Sequence, residues 1–333
     1  MKRVLIIKTS ALGDIAMAAP HVEVICEHHR ADEVYLLTGP GGVDLFYDHP
    51  KAKTVLLDDS RVLGETSLWG RVRWMRKTGF DVVYDLQGNR TSRRLVRWGR
   101  PKVSVGTQPE PVYDLHPPDH YLQSTQKNVF DRLNETLAAG GVAPAEGKSG
   151  FAVCPGKRAA VDRWLAARVG DRPMAVFHAG SAGGWTSKRW PRENWLALAK
   201  MLDAAGLACV WVGSGPDAEW NRFLAGRVGV DATNRFSPVQ VYDLASRARF
   251  GVASDSAPMH LFAAAGIPVF AFFGPTSPVR SHALNQGNRT MTHPVPCSPC
   301  YLPHCPGNKG HACLAGIGPE AVLSRIRAEV AIP

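Results

Sequence analysis

Residues 174–212 read MAVFHAGSAGGWTSKRWPRENWLALAKMLDAAGLACVWV, and this stretch decides the fold. Its apolar run Met174–Phe177 predicts a buried strand, Arg192–Ala205 predicts a helix, and Ala208–Val212 predicts a second strand. Strands that are apolar throughout, joined by a helix, are typical of a parallel sheet with helices on both faces. The loop between the first strand and the helix is rich in Gly, Ser and Thr.

The same alternation runs through both halves of the chain. Further strands are predicted at Val4–Ile7, Glu33–Leu37, Thr54–Leu57, Asp81–Leu86, Lys102–Gly106, Phe250–Ser254 and Val269–Phe273. Further helices are predicted at Ile15–His29, Gly41–Tyr47, Leu68–Thr78, Ser92–Trp98, Gln126–Ala139, Asp217–Val228, Pro238–Ser246, Pro258–Ala265 and Pro319–Val330. The pattern predicts an α/β protein with two Rossmann-like, doubly wound parallel-sheet domains facing each other across a cleft.

The predicted domains are residues 1–150 and 173–333. Periodicity is lost around Pro144, Gly147 and Pro155, so a linker is expected at about residues 151–172. The last helix either stays with the second domain or packs back on the first.

Composition excludes several classes of protein. The chain has 333 residues, 45% of them hydrophobic and 20% charged, which is ordinary globular usage and not that of a disordered, collagen-like or coiled-coil chain. A membrane span needs about 18–20 apolar residues, and a signal peptide needs an apolar region of about 7–15. The apolar run near the start, Val4–Ile7, is shorter than either. We therefore expect a cytoplasmic protein.

A formal net charge of +10 favours an acidic partner. Phosphorylated substrates, an anionic membrane surface and nucleic acid all qualify. Nucleic acid is disfavoured because no recognisable nucleic-acid-reading motif is present.

Two loops at predicted strand ends have the composition of an anion site. The loop Gly180–Arg189 combines three glycines with hydroxyls and basic side chains, which can approach and donate to phosphate oxygens. The start of the next predicted helix adds Asp255, Ser256 and His260. Asp217 or Glu219, after another strand, either accepts hydrogen bonds from ribose hydroxyls or caps the helix that follows.

The loop after the first strand, KTSALGD (residues 8–14), offers different chemistry. It lacks both the G-x-G-x-x-G dinucleotide fingerprint and the G-x-x-x-x-G-K-[ST] phosphate loop, so a dinucleotide oxidoreductase is disfavoured. It does supply one carboxylate, Asp14. That side chain is either a general base or simply the N-cap of the following helix.

Six stretches together carry a family resemblance. They are KTSALGD, FDVVYDLQGNR (80–90), HAGSAGGWTSKRWPRENW (178–195), VGSGPDAE (212–219), SDSAPMHLFAAAGIPVFAFFGPTSP (254–278) and PCSPC (296–300). The chain resembles glycosyltransferase family 9, the ADP-heptose:lipopolysaccharide heptosyltransferases. The resemblance implies a GT-B fold with the donor held mainly by the second domain.

The resemblance also implies an activity. This is inverting transfer of a heptose from ADP-heptose to an anionic lipopolysaccharide inner-core acceptor, with no cofactor required for catalysis. Peripheral contact with the cytoplasmic face of the inner membrane is expected. A protein heptosyltransferase and a GT-B-fold sugar-nucleotide epimerase remain alternatives.

Matching positions and the composition of the loops together give the expected site residues. Asp14 is the expected general base, and Lys188 is the expected contact of the donor diphosphate. The donor is assigned to Ser181, Thr186, Ser187, Lys188, Glu219, Asp255, Ser256, Ala257 and His260, and the acceptor to Lys8, Ser10, Gln87, Asn89 and Arg90. Ser256 and Ala257 stand where many members have Thr and Gly.

Basic residues are concentrated between residues 68 and 102. Ten lie there against two acidic ones: Arg71, Arg73, Arg76, Lys77, Arg90, Arg93, Arg94, Arg97, Arg100 and Lys102. The segment is either a patch for acceptor carboxylates, phosphates or the membrane, or a solvated helix face. Trp69, Trp74 and Trp98 lie among these charges.

Four of the seven cysteines lie close together in the sequence. Cys297, Cys300, Cys305 and Cys313 have the spacing C-x2-C-x4-C-x7-C in a loop rich in Pro and Gly. Four thiolates suit a structural zinc or iron ion, with His304 and His311 as spare ligands. Reduced thiols without a metal are the alternative.

Overall fold

The computed structural model describes residues 1–56, 64, 67–120, 127–147, 150–181 and 183–332, with the backbone alone at residues 54–56. The chain packs as two compact units, Met1–Ala152 and Val153–Pro333. Each contains a parallel sheet flanked by helices, which confirms the predicted α/β class. The predicted ends at Leu57 and Gln126 lie outside the described residues.

The sheet of the first unit has the strand order β3-β2-β1-β4-β5. Its strands are β1 (Arg3–Lys8), β2 (Glu33–Thr38), β3 (Ala52–Leu56), β4 (Val82–Asp85) and β5 (Val103–Gly106). Its described helices are α1 (Leu12–His28), α2 (Pro40–Phe46), α3 (Leu68–Thr78), α4 (Arg90–Gly99) and α5 (Val129–Ala139). Helices cover both faces of the sheet, so Val4–Ile7 of the central strand β1 are fully buried.

The sheet of the second unit has the order β11-β10-β9-β6-β7-β8. Its strands are β6 (Met174–His178), β7 (Ala208–Trp211), β8 (Val230–Asp231), β9 (Gly251–Ser254), β10 (Val269–Phe272) and β11 (Thr290–Met291). Its described helices are α6 (Pro155–Arg168), α7 (Arg192–Ala204), α8 (Ala218–Ala225), α9 (Pro238–Ala245), α10 (Ala257–Ala264), α11 (Pro278–Ser281), α12 (Ala312–Ala315) and α13 (Pro319–Glu329).

Aromatic packing anchors the core of the second unit. Trp190, Trp195 and Trp211 are fully buried. The Trp190 ring stacks on Phe272 at 4.3 Å between centroids, and its indole N–H donates to the Ile317 carbonyl over 2.9 Å. Burying such rings contributes several kcal/mol and leaves few alternative packings. The loop that precedes Trp190 is therefore fixed at its end.

Part of the range predicted as a linker, residues 155–168, forms helix α6. Val161, Trp164 and Val169 bury against the core of the second unit. Pro155, which indicated a loop in the sequence, stands at the first turn of this helix, where a missing N–H costs nothing.

Helix α13 packs against α7 in the second unit, burying Val322, Leu323 and Ile326 in the core that also contains the tryptophans. Its apolar face is thus used in the second unit, in contrast to the alternative of a return to the first. Among the described residues, no helix is both long and apolar enough to cross a membrane.

Both sheets have a topological switch point. Strand order reverses between β1 and β4 in the first unit and between β6 and β9 in the second. Chain segments leaving adjacent strands there diverge to opposite faces, and doubly wound sheets bind ligands in the crevice this leaves at the carboxyl ends.

Candidate functional site

A cation and an anion meet at the switch point of the second sheet. Lys188, in the 3-10 turn Thr186–Lys188 after β6, places its Nζ 2.7 Å from Oδ2 of Asp255, which follows β9. Thr276, after β10, donates its hydroxyl to the same carboxylate oxygen over 2.7 Å. The Lys188 side chain is 16% exposed and that of Asp255 is 8% exposed. The partly exposed Lys188 side chain is thereby held at the carboxyl ends of the strands.

Lys188 has a second contact within its own loop. Its Nζ lies 5.0 Å from the centre of the Trp185 ring, within the range of a cation–π interaction. Arg189 donates from Nε to the Ser181 hydroxyl over 3.1 Å, and Ser181 is buried. Both basic side chains of the loop are therefore held by contacts within the protein.

The start of helix α10 lies beside this pair. Ser256 is its N-cap residue, and Ala257 begins the helix. A helix N-terminus presents unpaired N–H groups and carries about half a positive charge, so it suits an anion. His260 is buried within α10, one turn further on.

A buried chain of polar groups supports Ser256. Its hydroxyl is 2.8 Å from Nδ1 of His178, and Nε2 of His178 is 3.6 Å from Oδ2 of Asp217. Burial acts to raise the pKa of Asp217, but the interaction with His178 and the hydrogen bond from the Ser214 N–H outweigh burial, so the pKa is lowered. The buried Asp217 carboxylate is thus used in interactions within the protein. Glu219, in the first turn of α8, is exposed.

Ser187 has a different role from the predicted one. It is buried, its hydroxyl donates to the Leu302 carbonyl over 2.6 Å, and its backbone N–H donates to the Pro303 carbonyl over 3.1 Å. With both donors used, Ser187 has none left for a phosphate. Thr186 pairs its hydroxyl with Nδ1 of His304 at 2.9 Å.

Asp14 occupies the switch point of the first sheet. Helix α1 begins at Leu12 with Ala11 as N-cap, so Asp14 lies within the first turn and is not the cap. The Ser10 hydroxyl donates to Oδ2 of Asp14 over 3.2 Å. Oε1 of Gln87, after β4, accepts from the N–H groups of Thr9 and Ser10 over 3.1 and 2.8 Å. Gln87 therefore fixes the loop that presents Asp14.

Lys8 and Asn89 also have structural roles. Lys8 is buried and donates to the Leu86 carbonyl over 3.2 Å. Burial lowers its pKa, and the Asp14 and Asp85 carboxylates oppose that shift. Asn89 caps helix α4 by accepting from the N–H groups of Thr91 and Ser92, which explains its place before an apolar–basic helix.

Arginines line a groove along helix α4, which we call the arginine groove. Its cavity measures about 370 Å³ and is lined by Arg90, Arg93, Arg94, Arg97, Glu110, Pro111 and Val112. Glu110 pairs with Arg93. Beside it, Trp69 is 59% exposed and stacks on Trp98 at 5.0 Å between centroids.

The four clustered cysteines line one small cavity of about 20 Å³. Burial raises the pKa of Cys313, and the charges of Cys305, Cys297 and Cys300 raise it further. The three other sulfur atoms are therefore close enough to interact electrostatically with that of Cys313. Within the described residues, no group of three or more His, Cys, Asp or Glu side chains is arranged to hold a metal ion. The spare ligands are engaged, His304 with Thr186 and His311 with the Ser187 carbonyl.

Sequence reasoning missed Thr276 and His178 as parts of this site. Each lies inside a stretch that carries the family resemblance, Thr276 in FFGPTSP and His178 at the head of HAGS. Each follows the carboxyl end of a predicted strand. Treating every polar residue at such a strand end as a candidate would have included them.

Comparisons with known proteins identify a family for the chain. The family model of glycosyltransferase family 9 (heptosyltransferase) matches residues 69–310. Lipopolysaccharide heptosyltransferase 1 of Pseudomonas aeruginosa is 26% identical over 328 residues, covering 91% of this chain and 87% of that protein.

Solved structures share the fold. A glycosyl transferase family 9 protein from Veillonella parvula superposes with a TM-score of 0.82 at 18% identity, covering 98% of this chain and 96% of that one. The E. coli ADP-heptose lps heptosyltransferase II gives a TM-score of 0.76 at 19% identity, with 98% of each chain covered. These likenesses confirm the predicted GT-B fold.

Proposed function

The chain belongs to glycosyltransferase family 9, and from that premise we propose that this glycosyltransferase moves a heptose from ADP-heptose to an anionic lipopolysaccharide inner-core acceptor. The observation that carries the proposal is the Lys188–Asp255–Thr276 cluster beside the N-terminus of α10. Its place at the switch point, where such sheets bind nucleotides, supports an anion site there.

The donor diphosphate is the anion proposed for that site. As the anomeric C–O bond breaks, the bond electrons go to the β-phosphate oxygen, and negative charge grows on the leaving ADP. Lys188 and the N–H groups at the start of α10 stabilise that charge more in the transition state than in the ground state. Ser181, Thr186, Ser256, Ala257 and His260 would line the donor, with Glu219 on the ribose, while Ser187 holds the loop.

Asp14 is proposed as the general base. The acceptor hydroxyl forms the new bond to the anomeric carbon, and its proton passes to the Asp14 carboxylate, while ADP leaves from the opposite face of the sugar. One displacement of this kind inverts the anomeric centre. Ser10 and Gln87 would hold Asp14 and its loop for the acceptor.

The arginine groove is the surface proposed for the acceptor's anionic groups. Arg90, Arg94 and Arg97 lie on one helix, and the only carboxylate among the residues that line the groove, Glu110, is paired with Arg93. Guanidinium groups bind carboxylates and phosphates through two parallel hydrogen bonds. We propose that the enzyme is cytoplasmic. The exposed Trp69 beside these arginines supports peripheral contact with the cytoplasmic face of an anionic inner membrane.

Charge reversal tests the arginine groove. Arg94→Glu combined with Arg97→Glu is expected to raise the KM for acceptor by about 10- to 100-fold at low salt and by less at high salt. The ADP affinity should not change. Arg163→Glu on α6, an exposed arginine of the second unit, serves as the control. An acceptor KM that is the same in all three proteins would remove the groove from the acceptor site.

A structural zinc or iron ion on the cysteine loop is also part of the proposal. Four thiols around one cavity are a donor set that zinc and iron prefer. Such an ion would order the loop, and no catalytic step passes through it.

Elemental analysis tests the ion directly. Protein purified without chelator is expected to contain about one zinc or iron per chain, and Cys300→Ser with Cys305→Ser is expected to contain none. Cys154→Ser, which changes a cysteine outside the cluster, is the matched control. Metal-free wild-type protein in which all four clustered cysteines titrate as thiols would favour the reduced-thiol alternative.

A donor screen decides the proposed function as a whole. The purified chain is incubated with ADP-heptose, and separately with other nucleotide sugars, in the presence of core-truncated lipopolysaccharide. Transfer from ADP-heptose to the lipopolysaccharide, with release of ADP, is the expected outcome. Transfer to protein alone would indicate a protein heptosyltransferase, and an epimerised sugar nucleotide without transfer would indicate an isomerase.

A further inference from the structure

The loop that carries the cysteines is hydrogen-bonded to the turn Thr186–Lys188, which carries the proposed donor contact Lys188. We infer that residues Leu302–His311 are a positioning element for the donor diphosphate, acting on Lys188 through the turn Thr186–Lys188. The inference rests on the proposed function, because it assumes that Lys188 binds the donor.

Three hydrogen bonds join the loop to Ser187. The Ser187 N–H donates to the Pro303 carbonyl over 3.1 Å, and its hydroxyl donates to the Leu302 carbonyl over 2.6 Å. Its own carbonyl accepts from Nε2 of His311 over 2.5 Å. Because a carbonyl oxygen can only accept, Nε2 of His311 must carry a proton. Every polar group of Ser187, the residue next to Lys188, is thus bonded to the loop.

The same loop region also holds the other side of the cluster. The Tyr301 N–H donates to the Pro275 carbonyl over 2.8 Å, and the Ser298 hydroxyl donates to the Gly274 carbonyl over 2.5 Å. Gly274 and Pro275 lead directly into Thr276, which bonds Asp255. Both donors to the Asp255 carboxylate, Lys188 and Thr276, therefore stand on segments that this loop region holds.

Among the described residues, the loop supplies the hydrogen bonds to all three polar groups of Ser187, at the centre of the 3-10 turn. Hydrogen bonds in a turn of three residues are few, so a bond to each backbone polar group of its central residue determines where the turn lies. A displacement of about 1 Å at a group that binds a transferring substrate costs up to ~100-fold in rate. The loop thereby acts on the donor through Lys188.

Calorimetry with ADP on full-length variants tests the inference. His311→Ala is expected to weaken ADP binding by about 3- to 10-fold, as the loss of one hydrogen bond predicts. It should raise the KM for donor and leave the KM for acceptor unchanged. His311→Gln keeps an N–H donor and should lie closer to wild type.

The control is His293→Ala. His293 is an exposed histidine of the same chain segment that packs over Gly316 and has no described hydrogen bond to the donor-binding turn. It should bind ADP as wild type does. If His311→Ala fails to fold, Ser187→Ala removes the bond to Leu302 from the other side and should weaken ADP binding in the same way.

The outcomes separate the two proposals. Wild-type protein that does not bind ADP would overturn the proposed function. Wild-type protein that binds ADP, with His311→Ala and Ser187→Ala binding it equally well, would overturn the positioning role alone.

Discussion

Replacing Asp14 by alanine is expected to lower the rate of sugar transfer by at least ~100-fold, the usual scale for losing a general base. The acceptor hydroxyl would then have no group to take its proton. Folding and ADP affinity should stay near those of wild type, because Asp14 lies in the first unit and its described side-chain hydrogen bond is to Ser10. Single-turnover kinetics at saturating donor and acceptor would measure the effect on the chemical step.

Asp131→Ala is the matched control. Asp131 stands in the first turn of α5, as Asp14 does in the first turn of α1, so both variants lose a carboxylate that favours a helix N-terminus. Near-normal turnover of Asp14→Ala would refute the role of base. An equal loss in both variants would mean that the effect comes from helix stability.

Replacing Lys188 by alanine is expected to weaken ADP binding by about 10- to 100-fold, because a charge-assisted hydrogen bond contributes about 1.5–3 kcal/mol. Transfer should fall by a further ~100-fold or more, because charge on the leaving diphosphate grows in the transition state. Calorimetry with ADP measures the first effect, and kcat measures the second. Lys200→Ala, an exposed lysine on α7, is the control.

Part of the loss in Lys188→Ala comes from Asp255, whose carboxylate is left buried without its ammonium partner. Adding Asp255→Asn removes that charge and should recover some ADP affinity but little transfer. If Lys188→Ala binds ADP with unchanged affinity, the diphosphate does not sit in this cluster.

The strand ends were the predictable part of the site. Fully apolar strands locate the sheet, and polar residues that follow them fall at its carboxyl edge, so Lys188 and Asp255 could be placed together although 67 residues separate them. Asp14 was placed in the same way. These predictions depend on the apolar pattern of the strands and on the order of strands and loops along the chain. Both can be obtained from a single sequence.

Hydrogen-bond partners were not predictable. Gln87 and Ser187 have the composition of ligand contacts, yet Gln87 bonds backbone groups 78 and 77 residues away, and Ser187 bonds Leu302 at a separation of 115. Nothing in local composition distinguishes a polar group that binds a ligand from one that holds a loop. Helix α6 was missed because Pro155 and Gly156 are typical of loops, and its amphipathic face is only Val161, Trp164 and their neighbours.

Each sheet has its own core and its own switch point. Under the proposed site assignment, substitutions that retune recognition of the incoming alcohol fall on one half of the gene, and those that retune the nucleotide fall on the other. Natural selection could then alter glycan specificity without disturbing how the enzyme handles the activated sugar. Chimeras that exchange residues 1–152 between homologues should inherit acceptor preference from one parent and donor preference from the other.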